Sequence, residues 1–209
     1  MTEINKLKLY LGACPLIAIV RGVAPDEVEA ITDAIFDAGI RIIEVPMNSP
    51  EPLESIRRLA AHFGDRALIG AGTVLDAQQV SNVRSAGGHL IVSPSTKRDV
   101  IAAAASAGMI SCPGYFTPTE AFEAIDAGAT ALKLFPADGG SPAMLKALRA
   151  VLPSDLPILV VGGITPETMR PWLDAGANGF GLGGALYRAG QSAEVTAAKA
   201  RAFVEALER

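Results

Sequence analysis

One repeated motif limits what this chain can fold into more than any other feature. A helical stretch ends in Ala-Gly, and a strand-length apolar run follows. Asp37-Ala38-Gly39 precedes Ile42-Ile43-Glu44-Val45, Ser85-Ala86-Gly87 precedes Leu90-Ile91-Val92, and Ser106-Ala107-Gly108 precedes Met109-Ile110. Asp126-Ala127-Gly128 precedes Ala131-Leu132-Lys133-Leu134-Phe135, and Asp174-Ala175-Gly176 precedes Gly179-Phe180-Gly181-Leu182. Each glycine suits the position just past a helix, where the backbone turns left-handed and a Cβ would be penalised. Each run that follows has the length and apolarity of a buried strand. Residues 16–20, 67–71 and 158–161 add three more such runs, making eight. Pro25-Asp26-Glu27, Pro118-Thr119-Glu120 and Pro166-Glu167 each put proline and an acid where a helix should start. Asp76 and Ser141 are candidate N-caps, and residues 192–209 read as a final amphipathic helix.

Strict alternation of strand and helix predicts a parallel sheet. Eight units predict a closed (β/α)8 TIM barrel of the α/β class, one domain over residues 1–209 with a short N-terminal helix. An open doubly wound sheet is the alternative, but no Gly-x-Gly-x-x-Gly follows the first strand. At 209 residues the chain is short for eight units, so its loops must be short. Half of the residues are hydrophobic and only 5% are aromatic, so aliphatic side chains must fill the core. That bias fits strands buried on both faces.

The same composition excludes several functions. The formal net charge is −4, without the basic cluster that nucleic acid would require. No apolar run is long enough to span a membrane. The first ten residues carry Glu3, Lys6 and Lys8 and lack the apolar segment of a signal peptide. Cys14 and Cys112 are far apart, fit no zinc spacing, and point to a reducing cytoplasmic setting. No histidine–cysteine constellation offers a metal site, and no cofactor is expected. His62 and His89 map to the N-terminal end of the barrel, away from catalysis. Ser93 and Ser95 have no paired histidine, which argues against a hydrolase triad. A small-molecule substrate is the expected partner.

Polar residues recur at the C-terminal ends of the runs, where barrel enzymes collect their chemistry. They include Arg21-Gly22, Glu44, Gly72-Thr73, Ser93-Pro94, Lys133 with Phe135, Gly162-Gly163 and Gly183-Gly184. Strand alternation turns Leu132 and Leu134 outward and Lys133 into the barrel. A desolvated lysine loses affinity for its proton, and a free amine can form a Schiff base with a ketone. Glu44 points inward by the same argument and could shuttle a proton beside such an imine. The rival reading is a structural Lys133–Glu44 ion pair, although buried pairs stabilise poorly. The two glycine pairs follow the last two strands, where barrels hold phosphate, or they are simply tight turns. Arg21 and Thr73 could bind a carboxylate, or Arg21 could be a surface residue.

Taken in order, five motifs are specific: Ile43-Glu44-Val45, Gly70-Ala71-Gly72-Thr73-Val74, Ser93-Pro94, Leu132-Lys133-Leu134-Phe135-Pro136 and Gly162-Gly163-Ile164. With them the chain resembles, from Pro15 to about Leu207, the 2-keto-3-deoxy-6-phosphogluconate and -galactonate aldolases. The resemblance implies a metal-free class I aldolase, homotrimeric, that takes a phosphorylated keto-deoxy sugar acid to pyruvate and glyceraldehyde 3-phosphate. It implies Lys133 as Schiff-base residue and Glu44 as general acid/base. Thr73 would help hold the carboxylate and Gly162, Gly163, Gly183 and Gly184 the phosphate, with Arg21, Pro94, Phe135 and Val161 completing the substrate site. Asn48-Ser49-Pro50, Arg21-Gly22, Val161 before the glycines and the segment from Leu186 to Gln191 resemble the galactonate branch. The rival branch is the gluconate or 4-hydroxy-2-oxoglutarate type, and a more distant rival is a phosphosugar epimerase or isomerase barrel. Gly184 departs from the family, which commonly has serine there.

Overall fold

The parallel sheet closes on itself because its fifth strand position is shared between two short strands. The structure, a computed structural model, describes residues 2–208. Met1 and Arg209, which the sequence reading placed in the N-terminal segment and the final helix, lie outside the described residues. The strands are β1 (Leu16–Ile19), β2 (Ile42–Pro46), β3 (Leu68–Gly72), β4 (Leu90–Val92), β5 (Ile110–Cys112), β6 (Gly114–Tyr115), β7 (Leu132–Leu134), β8 (Ile158–Val161) and β9 (Gly179–Leu182). Every pairing is parallel, in the order β5-β4-β3-β2-β1-β9-β8-β7-β6.

Eight runs were expected where nine strands are found, and Pro113 is the cause. It has no N–H to give a ladder, so the run breaks into β5, paired with β4, and β6, paired with β7. Its carbonyl still accepts from the Lys133 N–H at 2.9 Å, flanked by Ala131 N–H to Ser111 O at 3.1 Å and Phe135 N–H to Tyr115 O at 3.1 Å. The barrel is thus closed at its eighth seam, as a single domain. The doubly wound alternative is ruled out by this order.

The helices α1 (Glu3–Ala13), α2 (Val28–Asp37), α3 (Pro52–Phe63), α4 (Ala77–Ser85), α5 (Arg98–Ser106), α6 (Pro118–Asp126), α7 (Pro142–Arg149), α8 (Met169–Asp174) and α9 (Ala193–Ala206) form the outer layer, except α1. All five Ala-Gly glycines have the expected positive φ, from 67° at Gly108 to 113° at Gly39. Asp76 and Ser141 cap α4 and α7 by accepting from Gln79 and Met144 N–H, and Thr117 with Glu120 forms a full capping box on α6. Two starts differ from the sequence reading. Residues 25–27 are a turn and α2 begins at Val28, because Glu27 folds back to accept the Ala24 N–H. Pro166–Thr168 is a 3-10 turn that feeds α8 at Met169.

Two apolar clusters follow from strand alternation. Ile43, Val45, Leu132 and Leu134 face outward to the helices, while Ile42, Leu68, Leu90, Ile110, Ala131 and Leu159 fill the barrel. The inner cluster also takes Leu7 and Leu11, so α1 plugs the N-terminal mouth. Lys6 bonds Asp65 at 2.9 Å and Tyr10 donates to the Asp65 carbonyl at 2.6 Å, which ties the plug to the 3-10 turn at Gly64–Arg66. The interior is therefore sealed below and reachable from the C-terminal end of the strands.

Candidate active site

Above the inner apolar cluster, alternation places two ionisable side chains in the barrel. Lys133 is 7% exposed and Glu44 is 2% exposed. Burial pushes the Lys133 amine below the usual lysine range and the nearby Arg21 charge adds to this, while Glu44 and Cys112 oppose it. Burial pushes the Glu44 carboxyl up to about 7, against the pull of Lys133 and Arg21. Burial likewise lifts the Cys112 thiol to about 12, so it faces the pair as a neutral group. Glu44 Oε2 is buried and has no hydrogen-bond partner among the described residues. An unpaired carboxylate oxygen is costly inside a protein, which argues against a purely structural ion pair.

Gly72 explains why the carboxylate can sit there. A Cβ at Gly72 would collide with both Glu44 oxygens, and one at Gly70 would collide with the Leu90 carbonyl. Gly72 thus opens the space that Glu44 uses, and Gly70 lets β4 approach.

The open cavity at the C-terminal mouth has a volume of about 550 Å³. Lys133 forms part of its floor, with its Nζ 4.4 Å from the centre of the Phe135 ring. Every residue proposed from sequence for substrate binding lines this cavity: Arg21, Thr73, Pro94, Phe135, Val161, Gly162, Gly163, Gly183 and Gly184. Glu44 does not. It lies below the cavity floor, where it shares a small interior space with Lys133, Cys112 and Val161. Three basic side chains, Arg21, Lys133 and Arg188, line the cavity, and among the described residues no Asp or Glu does. The lining is therefore predominantly basic, which favours an anion, although the Asp138 carboxylate lies behind Gly162 and Gly163.

The two arcs of the mouth differ. On the β1–β3 arc, the Arg21 guanidinium donates to Asn48 Oδ1 and to Thr73 Oγ1 at 3.3–3.4 Å. Arg21 is exposed, and these bonds hold it where it lines the mouth. Thr73 holds a left-handed φ of 56°, an uncommon conformation for a β-branched residue. On the β8–β9 arc, Gly162 and Gly163 have φ of 117° and 62°, and the Asp138 carboxylate occupies the side where a Cβ would point. Glycine is required there. Gly183 and Gly184 are under no such constraint: their φ is ordinary, and a Cβ at Gly183 would meet nothing within 4 Å.

His62, in the last turn of α3, bonds Asp33 at 2.7 Å, and His89 precedes β4 with Glu3 at 3.6 Å. Both are at the plugged end, as expected. Among the described residues no group of three or more histidine, cysteine or acidic residues could hold a metal ion, and no helix is long and apolar enough to cross a membrane. Cys14 and Cys112 are both buried free thiols. Sequence reasoning gave no site role to Ile164, Thr165, Tyr187 or Arg188, which also line the cavity. Arg188 could have been flagged, since it follows the last glycine pair in the loop where such barrels hold anions.

A parallel barrel with a buried lysine beneath a basic mouth has the parts that a Schiff-base lyase needs. A family model described as "Aldolase: KDPG and KHG aldolase" matches residues 7–200. The chain belongs to this family and is an aldolase, a carbon–carbon lyase. It is 53% identical, over 92% of its length and 94% of the relative's, to the 2-dehydro-3-deoxy-6-phosphogalactonate aldolase of Escherichia coli K12. A solved structure described as native KDPGal matches 93% of this chain and 94% of its own, at 52% identity and a TM-score of 0.91. A cube-shaped cage designed by fusing symmetric oligomeric domains matches at the same identity and TM-score, with 93% of this chain covering 72% of that one.

Gly72→Ala should push the Glu44 carboxylate from its place. A displacement near 1 Å can cost about a hundredfold in rate, so kcat should fall by about that factor while circular dichroism still reports a folded barrel. A variant with near-normal kcat would show that the position of Glu44 is immaterial.

Proposed function

We propose that the protein cleaves 2-dehydro-3-deoxy-6-phosphogalactonate to pyruvate and glyceraldehyde 3-phosphate by class I chemistry. The observation that carries this reading is a buried, pKa-depressed Lys133 on the floor of a cavity whose lining includes Arg21 and Arg188 and, among the described residues, no acid. The 53% identity to the galactonate aldolase supports the choice of substrate.

The Lys133 amine adds to the C2 ketone, and loss of water leaves a protonated imine. Glu44, acting through a water from below the floor, takes the proton of the C4 hydroxyl. The C3–C4 bond breaks, its electrons pass to the imine to give an enamine, and the aldehyde leaves. Protonation at C3 restores an imine of pyruvate, and water releases pyruvate with the free Lys133 amine. Arg21 and Thr73 bind the carboxylate, Pro94, Phe135 and Val161 wall the chain of the substrate, and the glycine pairs approach the phosphate with their N–H groups. The reading also includes a homotrimer at work in the cytoplasm. The likeness to a domain used to build a cage from symmetric oligomers supports an assembly.

The substrate choice is tested by measuring pyruvate release from the two C4-epimeric phosphates side by side. Val161 offers the C4 region no hydrogen bond, so nothing polar at that position rejects the galactonate configuration. The galactonate epimer should be cleaved at least as well as the gluconate one. Strong preference for the gluconate phosphate would overturn the substrate while leaving the aldolase class intact.

The pH dependence follows from Glu44. Below about 7 its carboxyl holds a proton and cannot accept another, so kcat/KM should rise with pH through that value. Glu44→Gln should lack this limb and lose about 10²–10⁴-fold in turnover. An unchanged profile would reduce Glu44 to a structural group.

A further inference from the structure

The two ends of an anionic, phosphorylated substrate need two separate counter-charges, and the cavity supplies them on opposite arcs. Arg21 is committed to the β1–β3 arc by its bonds to Asn48 and Thr73. Lys133 is on the floor. The β8–β9 arc carries both glycine pairs, and Gly184 has no side chain to offer a ligand. The remaining cation is Arg188.

Its placement is built by the loop between β9 and α9. Tyr187 donates its hydroxyl to Glu27 Oε1 at 3.0 Å, which pins the loop to the segment before α2. Ala189 packs against Gly22, where a Cβ would meet the Ala189 Cβ at 3.0 Å; Gly22 also has φ of 83°. Between these two anchors, Arg188 donates its Nε to the Gly184 carbonyl at 3.1 Å. The same Nε stands 3.8 Å from where a Cβ on Gly184 would be. The guanidinium therefore faces the space that a side chain at position 184 would enter. No salt bridge or further hydrogen bond engages Arg188 among the described residues, so its two terminal nitrogens are free to fork onto an anion.

We propose that Arg188 is the phosphate-holding cation of the site and so a determinant of its preference for phosphorylated over plain substrates. This rests on the aldolase reading above and deepens it. A phosphate monoester carries nearly two negative charges at neutral pH, and backbone N–H groups alone neutralise none of them. With Arg188 in this role the three basic side chains divide the substrate between them. Arg21 meets the carboxylate, Lys133 the ketone and Arg188 the phosphate.

The test uses the synthetic direction, in which pyruvate adds to glyceraldehyde 3-phosphate or to glyceraldehyde. The wild-type ratio of kcat/KM for the two aldehydes is compared with that of Arg188→Gln and Arg188→Lys. Arg188→Gln should lower the ratio about tenfold, toward the small end for charge-assisted bonds because Arg188 is exposed. Arg188→Lys, which restores a cation, should recover most of it. A ratio that Arg188→Gln leaves unchanged, whether both activities fall together or neither does, would overturn the proposal. So would Lys and Gln variants that behave alike. Failure of the aldolase reading is a different result: the wild type would then join pyruvate to neither aldehyde.

Discussion

The structure depends on keeping a lysine and a glutamate inside a barrel that is otherwise packed with aliphatic side chains. Removing both from water is expensive, and mutual attraction seldom repays it in full. Here the cost is expressed in the groups themselves. The Lys133 amine is drawn toward its neutral form, and the Glu44 carboxyl is raised to about 7. A neutral amine is a nucleophile, and a carboxyl that titrates near 7 can move protons both ways at neutral pH. The burial that makes the pair a poor stabiliser is what fits it for chemistry.

The rest of the fold serves that burial. α1 closes one mouth with Leu7 and Leu11, so Lys133 is open only toward the other. Gly72 thins β3 so that Glu44 can lie beneath the cavity floor. The loops beyond the strands then divide by charge and conformation: Arg21, Asn48 and Thr73 on one arc, and the glycines with Arg188 on the other.

Much of this was legible in the sequence because it is local. Ala-Gly before an apolar run predicts a left-handed helix end, and all five glycines have it. Alternation within Leu132-Lys133-Leu134 fixes which side chain enters the barrel, and the outward leucines agree. Proline and an acid mark the start of α6, whose Thr117–Glu120 capping box is also local. What was not legible depends on distant partners. The split at Pro113 matters only through the different neighbours of β5 and β6. The late start of α2 comes from the fold-back of Glu27 to Ala24. That Glu44 lies below the cavity rather than in it reflects the missing side chain at Gly72, on the next strand. Arg188 gained a place in the mouth through Tyr187 and Glu27, which are 160 residues apart.

The central claim is that the Lys133 amine is the nucleophile, and trapping measures it directly. Incubation with pyruvate and borohydride reduces any imine to a stable secondary amine. The account predicts irreversible inactivation, with a single pyruvate-derived mass increment on the peptide carrying Lys133. An adduct mapped instead to an exposed lysine such as Lys97 or Lys146, or no adduct in an enzyme that still turns over, would contradict it.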